Sequence, residues 1–124
     1  MNIDVATGEL VDRVTILSIK MKKIKNKKKL ENVRKQYECL KTLMEATGIT
    51  IDAGEFIELE EINLKLWDAE DAIRLKEKKK EFDEDFIQLA RSIYLQNDNR
   101  DTLKRNINLK YGSELTEEKE YVDY

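Results

Sequence analysis

Glu58-x-x-Glu61 and Glu81-x-x-Glu84 are the carboxylate pairs whose spacing could do chemistry in this chain. Residues three apart share a helix face, and two such pairs on neighbouring helices could hold Mg²⁺ against the phosphates of a nucleotide. The surroundings argue against it. The 124 residues include no histidine, so the usual general base and commonest metal ligand is missing. No glycine-rich loop is present to cradle a phosphate. The lone Cys39 has no histidine to activate it and lies off the adjacent apolar stripe, so it reads as incidental. Sixteen glutamates also make such pairs common by chance, Glu55-x-x-Glu58 being a third. Exposed carboxylates on helices usually serve solubility.

A second constellation lies in the C-terminal half. Trp67-Asp68-x-x-Asp71-x-x-Arg74 is followed by Arg91-Ser92, by Asn97-Asp98-Asn99-Arg100 and by Lys104-Arg105-Asn106. Arg91, Asp98 and Arg105 recur at intervals of seven and would stack on one side of a continuous helix. Arginine offers a planar fork to phosphate or carboxylate, so Asp71, Arg74, Arg91, Asp98 and Arg105 could form an anion-binding site. The favoured reading is a structural network in which the aspartates pair with arginines between helices.

The elements that must position these groups are written in apolar periodicity. Leu10, Val14, Leu17, Met21 and Ile24 alternate steps of four and three, as do Leu30, Val33, Tyr37, Leu40 and Met44. No proline interrupts them. Thr7 is placed to cap a first helix running to about Lys25, and Asn26 marks a turn. A second helix runs to about Thr47, with Gly48 just past its end. Ile3-Asp4-Val5 and Ile49-Thr50-Ile51 could pair as a scrap of sheet. Asp52 opens a third helix striped by Phe56, Leu59, Ile62, Leu66, Ala69 and Ile73. Lys78-Lys79-Lys80 followed by Asp83-Glu84-Asp85 places a break near residue 81. A fourth helix carries Phe86, Leu89, Ala90 and Ile93. The turn signal Asn97-Asp98-Asn99 then opens a fifth through Leu103 and Ile107 to Gly112. The acidic tail, Ser113 to Tyr124, is expected to be mobile at its end.

The chain reads as one domain, residues 1–124, all-α, with a long antiparallel N-terminal hairpin packed against about three further helices. Charged residues make up 40% and nearly cancel to a net −3. With apolar periodicity kept throughout, that describes a folded chain. No apolar run approaches a membrane span, and the start lacks a basic and apolar secretory pattern. Together with the single cysteine, this predicts a cytoplasmic protein.

Charge is segregated along the chain. Residues 20–35 hold nine lysines and arginines against Glu31, and residues 45–71 hold nine acids against Lys65. Lysine outnumbers arginine 17 to 6 and no aromatic interleaves the basic run between Lys20 and Lys35, so nucleic acid is a poor fit as partner. A solvated hairpin tip, partly neutralised by the acidic helix, is the simpler reading.

Several stretches carry resemblances. Glu58-x-x-Glu61 with Glu81-x-x-Glu84 is similar to the ExxE…ExxD pattern of all-helical nucleoside-triphosphate pyrophosphohydrolases, with glutamate at 84 in place of aspartate. Residues Gly8 to Leu17, Leu66 to Arg74, Leu89 to Tyr94, Asn97 to Arg100, Leu103 to Asn108 and Gly112 to Leu115 resemble one small family of short bacterial and phage proteins, a domain of unknown function. The likeness spans nearly the whole chain and is weakest at 45–56. It implies a self-contained helical domain and transfers no activity.

The sequence thus predicts a non-enzymatic helical interaction protein, forming a homo-oligomer, most simply a dimer. Ile16 and Ile57, off the main stripes, are candidates for a second buried face. No cofactor is expected. The alternative is a small helical enzyme or binding protein acting on a nucleotide or other anionic metabolite, with Mg²⁺ held by Glu58, Glu61, Glu81 and Glu84.

Overall fold

The computed structural model describes residues 2–112 and folds them into four helices, α1 (Thr7–Lys23), α2 (Lys27–Ala46), α3 (Gly54–Lys79) and α4 (Glu84–Lys110). No strand occurs among the described residues, so the architecture is all-α. The expected acidic tail from Ser113 onward lies outside the described residues.

α1 is the central element, packed against α2, α3 and α4, whereas the backbone of α2 approaches only α1 among the described helices. Two stripes on α1 account for this. Leu10, Val14 and Leu17 form the apolar one. Gly8, Asp12, Thr15 and Ile19 recur at steps of four, three and four on the opposite side, and all four are buried. Gly8 meets Asn108 and Asp12 meets Arg100, so α1 and α4 run antiparallel. Asp12 meets Asn63 and Lys23 meets Asp68, so α1 and α3 run in the same direction. The core gathers where these elements meet, from Val11, Val14, Met44, Ile49, Phe56, Leu59 and Ile107. Full burial of each such larger side chain is worth about 1.5–3 kcal/mol.

The ends obey local chemistry. Asn26 caps α2 by accepting a hydrogen bond from the Lys29 amide at 3.0 Å. Gly48 follows α2 at φ +93°, where a side chain would be strained. Lys80 ends α3 in the left-handed region at φ 57°, and the Asp83 carboxylate caps α4 by accepting from the Phe86 amide at 3.0 Å. The break near residue 81 therefore stands as expected.

Four expectations are corrected. Thr7 does not cap α1; Ala6 occupies that position, and Asn108 reaches across from α4 to accept the Gly8 amide at 2.6 Å. Ala53, not Asp52, precedes α3. The proposed scrap of sheet is absent among the described residues, and Ile49 instead fills the core from the α2–α3 connection. The fourth and fifth helices are one, so two helices rather than three pack against the hairpin. Asn97, Asp98 and Asn99 lie inside α4 because the inward stripe of Ile93, Gln96, Arg100, Leu103 and Ile107 continues through them. Arg100 interrupts that stripe chemically without breaking the helix.

α3 and α4 outrun the rest. Past Ala69, α3 continues for about 15 Å of helix, and no residue between Glu70 and Leu103 is buried. The expected fourth-helix stripe of Phe86, Leu89, Ala90 and Ile93 is only half-buried, since α3 alone lies against it there.

Candidate functional site

Two polar assemblies stand out, one on each side of the α3–α4 pair. The first is buried against α1. Asp12 is 1% exposed and accepts from Arg100 Nε at 2.9 Å, Arg100 Nη2 at 2.5 Å and Asn63 Nδ2 at 2.8 Å. Asn63 Nδ2 also donates to Thr15 Oγ1 at 2.8 Å, and that hydroxyl donates to the Asp12 carbonyl at 2.7 Å. The Asp12 hydrogen bond raises the Arg100 pKa further above its already high ordinary value, so the guanidinium stays charged. A buried carboxylate is tolerable only when its oxygens are satisfied in this way.

One turn nearer the N-terminus, Lys104 Nζ donates to Glu9 Oε2 at 2.7 Å and Arg13 Nε donates to Glu9 Oε1 at 3.1 Å. Burial pushes the Glu9 carboxyl up, but the two cations outweigh it and hold the group below its ordinary value. Gly8 completes the junction. A Cβ there would collide with the Lys104 carbonyl oxygen, so only glycine permits this approach of α1 to α4. Every strong group in the assembly answers another group of the same chain. Chemically it is a latch between elements.

The second assembly is an open cleft of about 490 Å³ between α3 and α4, lined by Glu58, Glu61, Ile62, Lys65, Gln96, Asn99, Thr102, Leu103 and Asn106. At about 100° per residue, Glu61 and Lys65 lie roughly 160° around α3 from Asn63, and Thr102 lies as far around α4 from Arg100. The cleft therefore faces away from α1. The side chains of Glu58, Glu61, Lys65 and Asn106 make no hydrogen bond or ion pair with other described residues. Its chemistry is that of a cation or hydroxyl receptor: two carboxylates, three carboxamides and one hydroxyl over an Ile62–Leu103 floor, with one lysine.

The residues singled out by sequence fall differently. Glu58 and Glu61 share the cleft, but Glu81 and Glu84 lie at the far α3–α4 corner, about 30 Å of helix away. Glu81 takes an ion pair from Lys76 at 3.3 Å, and Glu84 accepts from Gln88 at 2.7 Å. Among the described residues, no group of three or more carboxylate, cysteine or histidine side chains is placed to hold a metal ion. Asp71 and Arg74 are exposed on α3, and Arg91 is exposed on α4. Asp98 is half-buried and Arg105 exposed, and both have partners. Arg105 lies beside the Glu58 end of the hairpin, about 20 Å of helix from Asp71, so these five do not converge. Ile16 is half-buried and Ile57 is 47% exposed.

The sequence does hold a mark of the true pairing. Asp12 interrupts the run Val11, Val14, Leu17 in the most buried helix, on a stripe with Gly8 and Thr15. The chain also matches one family model, over residues 1–123. The chain belongs to the family of unknown function DUF6165. No curated protein and no solved structure matches it. The DUF6165 match covers all four helices, so latch and cleft both lie within one family domain.

Proposed function

We propose that this protein is a non-enzymatic helical interaction module that works as a homodimer, the second copy covering the side of α3–α4 that α1 leaves open. One observation carries this reading: from Glu70 to Leu103 no residue of the hairpin is buried, although both helices have apolar positions along it. Glu61, Lys65, Asp68, Ala72 and Leu75 recur at steps of four and three, and so do Leu95, Asn99, Thr102 and Asn106. Leu75 and Leu95 thus extend the two walls of the cleft into the arm, and both are exposed. An isolated pair of helices cannot exclude water from its seam, and helices of this kind gain most of their stability from further packing. A two-fold pair supplies that layer and closes without leaving a second face open.

The reading places the dimer in the reducing cytoplasm, which suits the exposed single thiol Cys39. No helix of the described residues is long and apolar enough to cross a membrane. Size-exclusion chromatography of Leu75→Glu and Leu95→Glu tests the assignment. Wild type elutes as a dimer and each variant shifts to the monomer volume with unchanged helicity. Variants that elute with the wild type contradict this face.

A further inference from the structure

The tip between α1 and α2 has a charge problem that the described residues do not solve. Lys25, Lys27, Lys28 and Lys29 are all exposed there and have no carboxylate partner among the described residues. The first turn of α2 carries no acidic residue, whereas the first turns of α1, α3 and α4 each carry at least one. The positive end of the helix dipole adds to the lysines. Among the described residues the base of the tip is neutralised: Lys22 pairs with Glu60 at 3.5 Å and Lys23 with Asp68 at 3.2 Å.

The cleft has the opposite problem. Glu58 and Glu61 lie beside carboxamides that offer carbonyl oxygens, and no described residue pairs with either carboxylate. Lysine has a four-carbon stem and a three-donor head. Ile62 and Leu103 can take the stem while Glu58, Glu61, Asn99 and Asn106 take the head. Lys65, one turn beyond Glu61, leaves one cation against two carboxylates in the lining.

We propose that the α3–α4 cleft is a receptor for the lysine tip of a second copy, Lys27, Lys28 and Lys29 of one chain entering the cleft at Glu58 and Glu61 of the other. This rests on the self-association reading and specifies its polar half. Each copy carries one tip and one cleft, so a two-fold pair makes the contact twice and closes. The tip lysines and the Glu58–Glu61 pair then neutralise one another. Electrostatic complementarity of this kind sets orientation and partner choice more than raw affinity.

Sedimentation velocity at low salt tests it with charge exchange. The K27E/K28E/K29E variant and the E58K/E61K variant should each dimerise about tenfold or more weakly than wild type, because each sets like charges together at both contacts. Mixing the two should restore dimer, since each tip then meets a cleft of opposite sign. All substituted positions are exposed, and circular dichroism checks that both variants keep their helices. If wild type dimerises and neither variant weakens it, the tip-to-cleft contact is wrong while self-association stands. Two weakened variants that stay monomeric on mixing overturn the contact as well. A wild type that is monomeric throughout overturns both.

Discussion

Asp12 and Arg100 close a two-point ion pair across 88 positions of sequence, and the carboxylate end of it is almost wholly dry. The pair joins the central helix to the middle of α4, and Asn63 ties α3 to the same carboxylate. Removing the cation alone strands a charge in the interior. Arg100→Met should therefore cost about 3–5 kcal/mol in urea denaturation. Asp12→Asn combined with Arg100→Met should recover part of that loss, because no charge is then left unpaired. Equal costs for the single and double variants would contradict this account of the latch.

The helices were legible because apolar side chains recur at their spacing. The latch was not, because its residues are polar and come from three helices. Arg91, Asp98 and Arg105 repeat every seven positions and draw attention by their regularity, yet Arg105 stands about 20 Å of helix from Asp71. Gly8, Asp12 and Thr15 repeat just as regularly on α1, but small and polar side chains leave no mark on a hydrophobic pattern. Arg100 then hid the continuity of α4 by occupying an inward position that an apolar residue would normally fill. Of the cleft, sequence spacing gave the α3 wall at Glu58 and Glu61. Its α4 wall depends on how far the two helices are slid against each other, which periodicity does not specify.

Gly8→Ala probes the close approach of α1 to α4. The added methyl meets the backbone carbonyl of Lys104, which cannot move aside as a flexible side chain would. The helices must separate, loosening the Asn108 cap and the Glu9–Lys104 pair together. The expected loss is about 3 kcal/mol, the upper end of ordinary overpacking costs. Thermal unfolding measures it, and an unchanged midpoint would show that α1 does not sit this close to α4.

Acid should loosen the same junction. Folded Glu9 titrates below its ordinary 4.5, held there by Lys104 and Arg13 against the opposing effect of burial. Between the two values the unfolded chain binds more protons, so stability falls as pH drops from about 4.5 through the folded value. Above that window the contribution is fully present. Melting curves from about pH 3 to 7 should show a shallower acid decline for Glu9→Gln than for wild type. Identical slopes would contradict the assignment.

The α3–α4 corner offers a gain. Lys80 holds a left-handed conformation that costs a side-chain-bearing residue about 1–2 kcal/mol, and glycine adopts it without that penalty. Lys80→Gly should stabilise the protein by about 1 kcal/mol, provided the ion pair of Lys80 with Glu77 at 3.8 Å is as weak as exposed pairs usually are. Denaturant midpoints decide it, and a loss of stability would mean that the exposed pair outweighs the backbone penalty.

Self-association through the open side of α3–α4 makes the mass depend on concentration, which sedimentation equilibrium of the wild-type chain over about 1–100 µM measures. The predicted result is a mass rising to twice the 14.6 kDa of one chain and no further, as a closed two-fold pair requires. A single species of 14.6 kDa across the whole range would contradict it.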